Sequence, residues 1–231
     1  EFLPKGEKYW SQNKFYEKRN NLYKVLIGIG QWEPPDIIGL CEIENHYVLE
    51  TLANHSPLSE FNYKIIHEES PNKRGIDVAL LYRDETFTEI SHEAIPINFP
   101  SKKKKTRDIL YVKGSFYNKD TVHIFINHWP SRWGGQLETE NARMFVASVL
   151  RNTVDSIFNT NENAHIIITG DFNDGPHNKS IKNILAALKP NNNIQTDQLY
   201  NLSALLEERT EVGTHKHQGN WEILDQFIVS G

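Results

Sequence analysis

The sequence predicts an α/β fold in which β-sheets pack together under a cover of helices. Three observations predict it. Apolar, β-branched runs recur along the chain, and several stop abruptly at polar residues and glycine. Apolar residues at helical spacing fill two stretches between such runs. Several short runs also follow one another with no helix between them, which makes antiparallel neighbours. A length of 231 residues suits one α/β domain or two small ones. No internal repeat, low-complexity tract or long linker divides the chain.

The elements can be taken in order. Phe15, Leu22, Val25, Leu26 and Ile29 recur at helical spacing, and Ser11 suits the N-cap. Pro34-Pro35 ends what precedes it, and residues 37–42 read as a strand. Further strands are expected at 63–67, 76–82, 109–116 and 122–127, with Asn118-Lys119-Asp120 as a hairpin turn. The strand at 76–82 and the two that follow resemble a meander. Residues 137–158 read as a longer helix, with Met144, Val146, Val149 and Leu150 directed to the core. Strands at 166–170 and 223–229 complete the set.

Composition narrows the possible classes. Hydrophobic residues make up 38% and aromatics 11%, enough for a sizeable core. The formal net charge of −5 gives no global basic field for nucleic acid, although a local site remains open. Lys102 to Lys105 with Arg107 is the only dense basic run, either a solvated loop or a phosphate-tracking one. Cys41 is the only cysteine, so no intrachain disulfide forms. No signal peptide or transmembrane stretch is visible. Cytoplasm and a periplasmic or secreted setting both stay open, and a monomer is expected.

Four strand ends carry the chemistry. Ile166-Ile167-Ile168-Thr169-Gly170-Asp171-Phe172-Asn173-Asp174 runs from an apolar strand into a sharp turn. Asp171 and Asn173, two apart, fall on one side of an extended backbone. An acid beside an amide suits an oxygen substrate near a hard cation; the plainer reading is a turn whose polar groups satisfy the backbone. Glu42 interrupts the apolar strand at 37–42, where an unpaired carboxylate is costly and calls for a partner or a metal. Glu44 reads as a surface residue. In Asn127-His128-Trp129-Pro130-Ser131-Arg132-Trp133-Gly134-Gly135, His128 suits a hydrogen bond to a phosphoryl oxygen or acid catalysis. Asn127 and Arg132 are candidate phosphate contacts, Arg132 through a bidentate grip on an anion. Trp129 and Trp133 read either as core or as part of this site. Asp225 interrupts the last strand, either to hold a histidine imidazole or as a buried Asp satisfied by backbone amides.

Taken together and in this order, the segments resemble the endonuclease/exonuclease/phosphatase superfamily, which includes pancreatic-type deoxyribonuclease and inositol polyphosphate 5-phosphatases. The likeness spans residues 36–230, and the Asn-His-Trp-Pro-Ser-Arg and Asp-Gln-Phe-Ile-Val forms look most like bacterial members. The resemblance implies a four-layer α/β sandwich of two packed mixed β-sheets flanked by helices, as one domain over 1–231. It implies a Mg²⁺- or Mn²⁺-dependent hydrolase of phosphate esters. Glu42 matches the metal-binding glutamate. His128 matches the histidine at the scissile phosphate, and Asp171 and Asn173 match the pair that orients water and phosphate. Asp225 matches the aspartate that supports the histidine, and Arg107 is similar to an arginine near the phosphate. The family's first strand and its closing Ser-Asp-His segment are not found in these residues, which fits either a fragment or a shortened protein. Three functions follow: a nuclease, a phosphatase or phosphodiesterase on a small molecule or lipid head group, and a non-catalytic phosphate-binding protein. The partner is thus a nucleic acid or a phosphorylated small molecule, and exposed Trp129, Trp133 or Trp221 would suit base stacking.

Overall fold

In the computed structural model, all residues are described except 1–3, 32, 73, 102–104, 118–119, 210 and the side chain of Glu208. The basic run at 102–104 and the expected turn at Asn118-Lys119 lie outside the described residues. Two sheets stack face to face. The small sheet is antiparallel in the order β1 (Ile37–Ile43), β3 (Asp77–Arg83), β2 (Tyr63–His67). The large one is mixed. It runs through β4 (Phe87–Ile95), β5 (Ile109–Phe116), β6 (Thr121–His128), β7 (His165–Asp171), β12 (Asp225–Ser230), β9 (Leu199–Asn201) and β8 (Ala187–Leu188). A separate ribbon pairs β10 (His215–His217) with β11 (Asn220–Glu222).

Alternation of side chains along the strands builds the layers. Val78 and Leu80 of β3 face Val112 of β5 and Ile124 and Ile126 of β6, closing a core between the sheets. The opposite face of β3, with Ala79 and Leu81, meets Leu49, Leu52 and Ala53 of helix α2 (His46–Ala53). On the far side of the large sheet, Phe125, Ile166 and Ile168 pack against Val146, Leu150 and Val154 of helix α3 (Gln136–Thr160). The result is helix, sheet, sheet, helix, the four-layer arrangement that the resemblance implies.

Two expectations are corrected. The first helix, α1 (Gln12–Ile29), forms with its Ser11 cap, but it meets the core through Tyr23, Leu26 and Ile27. Leu22, Val25 and Ile29 are exposed, because the stripe that meets the core is that of Tyr23, Leu26 and Ile27. The meander is β4-β5-β6, whereas β3 sits in the other sheet. Strand β4 escaped the pattern because it is an edge strand with much of its length exposed.

Leu80, fully buried between the sheets, tests this packing. Leu80→Ala should cost about 2–5 kcal/mol in urea unfolding. Ile90→Ala, on the exposed edge, should stay within about 0.5 kcal/mol of the parent.

Candidate active site

Strand register assembles the site. β6 and β7 pair in parallel and end together, with His128 opposite Asp171. β12 runs antiparallel to β7 and begins where β7 ends, with Asp225 opposite Asp171. His128, Asp171 and Asp225 therefore form one row at one edge of the large sheet. Gly170 permits the close fit of β6 and β7. Its φ is +129°, and a Cβ there would stand 1.9 Å from the Asn127 carbonyl oxygen.

The turn after β7 is tied by its own polar groups. Asn173, at φ 51°, donates its backbone N–H to Asp171 Oδ1 at 2.8 Å. Its Nδ2 donates to Trp129 O at 3.0 Å and Asp171 Oδ2 at 3.2 Å, which leaves the carboxamide oxygen without a hydrogen bond among the described residues. Asp171 Oδ2 also lies 3.6 Å from His128 Nε2. Burial raises the Asp171 carboxyl to about 6; the Asn173 N–H and Arg107 pull it down, while Asp225 and Glu42 push it up. Burial lowers His128 to about 3, and the positive charges of Arg107 and Arg74 lower it further. The contact between them therefore joins a neutral imidazole to a carboxyl group and is no ion pair at neutral pH, despite its distance.

Buried polar groups brace the turn from behind. Asp174 and Arg143 of α3 are both fully buried, with Nε 2.9 Å from Asp174 Oδ2. Ser180 Oγ donates to the same oxygen at 2.6 Å, and Gln226 Nε2 donates to the Asp174 carbonyl. Arg132 donates to Asn173 O at 2.7 Å and to Glu222 at 2.6 Å.

The model of the Endonuclease/Exonuclease/phosphatase family matches residues 1–231. The chain belongs to this family. No curated protein matches the sequence. Solved structures of the same fold include the human Nocturnin catalytic domain with bound sulfate, 20% identical at TM-score 0.68, covering 93% of this chain and 75% of that one. Another is Danio rerio TDP2 with a single-strand DNA product, 15% identical at TM-score 0.60, covering 93% and 77%. A third is ANGEL2, a 2′,3′-cyclic phosphatase, 12% identical at TM-score 0.67, covering 95% and 76%. Members of the Endonuclease/Exonuclease/phosphatase family hydrolyse phosphate esters and generally use divalent metals.

Such a cation calls for clustered oxygen donors. Among the described residues, no group of three or more His, Cys, Asp or Glu closes to ligand geometry. The charges nevertheless fit. Glu42 and Asp225 both burden the buried Asp171 carboxyl with like charge, and a hard cation would relieve it. Glu42 is exposed and sits at φ 60° where the β1–β3 register shifts, a bulge that re-aims its side chain out of the strand.

Several sequence expectations are corrected by this geometry. Asp225 does not hold His128, because β7 lies between their strands, and the carboxylate beside the imidazole is that of Asp171. Asn127 is fully buried and its carboxamide binds Trp129 Nε1, so it is no phosphate contact. Arg132 is engaged by Asn173, Glu222 and Asp174, which leaves no bidentate grip for an anion. Arg107 does reach the site. Its Nε and Nη2 hold the carbonyls of His128 and Trp129, and its charge acts on Asp171 and Glu42. Trp129 is core, edge-on to Phe172, while Trp133 is 91% exposed. Arg143, Asp174 and Arg74 were missed. Arg143 carries no motif within a helix, and Asp174 looked like turn punctuation.

Two expectations follow. Arg143→Met should cost on the order of 3 kcal/mol in chemical unfolding, since it leaves Asp174 buried with one distant cation. Adding Asp174→Asn should return part of that loss. The second concerns pH. Unfolded, His128 takes a proton near 6.5, and folded only near 3, so its contribution to stability is lost as pH falls between those values. Asp171 acts oppositely, since its raised value favours the folded state as pH falls from about 6 towards 3.8. His128→Asn removes only the first effect. Thermal unfolding from about pH 7 to about pH 4 should then show a smaller loss of Tm in the variant. Equal losses would contradict a buried, neutral His128.

Proposed function

We propose that this protein is a divalent-cation-dependent phosphodiesterase acting on nucleic acid. The carrying observation is the Asp171 carboxyl, gripped by Asn173 and raised to about 6 at a shared strand edge. A carboxylate with that affinity accepts a proton well near neutral pH. Asp171 takes the proton of a water as its oxygen attacks phosphorus in line. The bond from phosphorus to the departing oxygen breaks, and that oxygen is protonated by solvent. Asn173 offers its carboxamide oxygen to orient the water. The neutral His128 imidazole, with its proton on Nε2, donates to a phosphoryl oxygen. Arg107 stabilises the charge gathering there and holds the His128 backbone in place.

Glu42, with Asp171, would offer oxygen donors to a cation such as Mg²⁺ or Mn²⁺, which would neutralise charge on the phosphate. Support for nucleic acid as substrate comes from the fold shared with TDP2, solved with a single-strand DNA product.

Supercoiled plasmid is the test substrate. Nicking with Mg²⁺, lost in EDTA and in Asp171→Ala, is expected. Wild-type rates in Asp171→Ala would remove Asp171 from the mechanism. No nicking, with phosphate release from inositol phosphates or lipid head groups, would redirect the reading to a small-molecule phosphatase. Binding has its own readout: Mg²⁺ should raise the Tm of the wild type and raise it less in Glu42→Gln.

A further inference from the structure

Beside the site lies a cleft of about 340 Å³, lined in part by Arg132, Gln136, His177, Asn178, Arg209 and Trp221. Its walls continue the site's own backbone. Gly175 follows Asn173 by two residues, Arg132 follows His128 by four, and Leu224 precedes Asp225. Arg132 joins the two regions directly, with Nε on Asn173 O and Nη1 on Glu222 of β11.

Most charges in the cleft already have partners. Arg132 pairs with Glu222 at 2.6 Å, and His177 pairs with Glu207 at 2.9 Å. Arg209 is exposed, and among the described residues its guanidinium makes no ion pair or hydrogen bond. It is the cation left for an incoming anion. Trp221 is 41% exposed and belongs to none of the three cores. Lys216 Nζ stands 5.1 Å from its ring centre, a contact across the ribbon, and the indole lines the cleft wall. An exposed aromatic plate, an unpaired guanidinium and side-chain amides make a set that recognises a base together with its phosphate. The volume is within the range of small-ligand pockets.

We propose that this cleft is a subsite for one nucleotide of the substrate strand, with the base stacked on Trp221 and a phosphate held by Arg209. The inference rests on the nuclease reading above and deepens it, by naming single-stranded nucleic acid as what the protein grips beside the bond it cuts. Trp221 and Arg209 act in binding and specificity and take no part in the bond-breaking step.

The test separates binding from turnover. Full-length protein in EDTA is titrated into a short fluorescein-labelled single-stranded oligodeoxynucleotide, and into the same strand built from abasic residues. Fluorescence anisotropy gives the affinities. Trp221→Ala should weaken binding of the normal strand about 5- to 100-fold. Trp221→Phe, which keeps a stacking face, should restore most of it. The abasic strand should bind wild type and Trp221→Ala alike. Arg209→Gln should weaken both strands and flatten the salt dependence. Variants that bind the normal strand as tightly as wild type, or a wild type that does not bind it, overturn the subsite. Discrimination by Trp221 and Arg209 without any Mg²⁺-dependent cleavage would sustain the subsite and overturn the proposed function.

Discussion

Strands β6 and β7 run parallel and adjacent, and the rest of the molecule is arranged around that pairing. Parallel neighbours cannot be joined by a hairpin, so the chain must leave the sheet and return. α3 makes that crossover, and its apolar face seals the large sheet on the way. Two strands that run the same way also finish at the same edge, where β12, running the other way, begins. The last residues of two strands and the first of a third thus meet at one edge. Gly170 sets the tolerance of that meeting, because the backbone of β6 occupies the space where a side chain would start.

Electrostatics then divide the edge into roles. Burying His128 beside Arg107 disfavours a second cation, so the imidazole stays neutral and keeps one donor. The same burial carries the proton affinity of Asp171 well above the ordinary range, with Asp225 and Glu42 adding to it and Asn173 and Arg107 opposing. Behind them, Arg143 and Asp174 face each other as opposite charges, both fully buried.

Much of the fold was legible because the strands near the site are apolar and stop at glycine or polar residues. The ends at Glu42, His128, Asp171 and Asp225 stood out, since a charged or ionisable group interrupting an apolar run carries an energetic cost that demands an explanation. What stayed hidden was how strands neighbour one another. The pairing of His128 with Asp225 failed because adjacency in a sheet is decided by crossovers that local patterns do not encode. Asn127 and Arg132 looked like anion contacts because of their chemistry, and burial turned both into internal ties. Arg143 lay inside a helix pattern, where an arginine ordinarily means solvent. β4 was missed for the opposite reason, because an exposed edge strand shows little alternation.

Cys41 sits on β1 directly against this edge, and its thiol donates to the Asn127 carbonyl at 3.3 Å. Burial, with the carboxylates of Asp171 and Asp225 nearby, pushes it up to about 12. Oxidants and alkylating reagents attack the thiolate, which this environment suppresses. The sole sulfhydryl of this sequence is therefore held as the thiol near neutral pH despite its place against the strand edge.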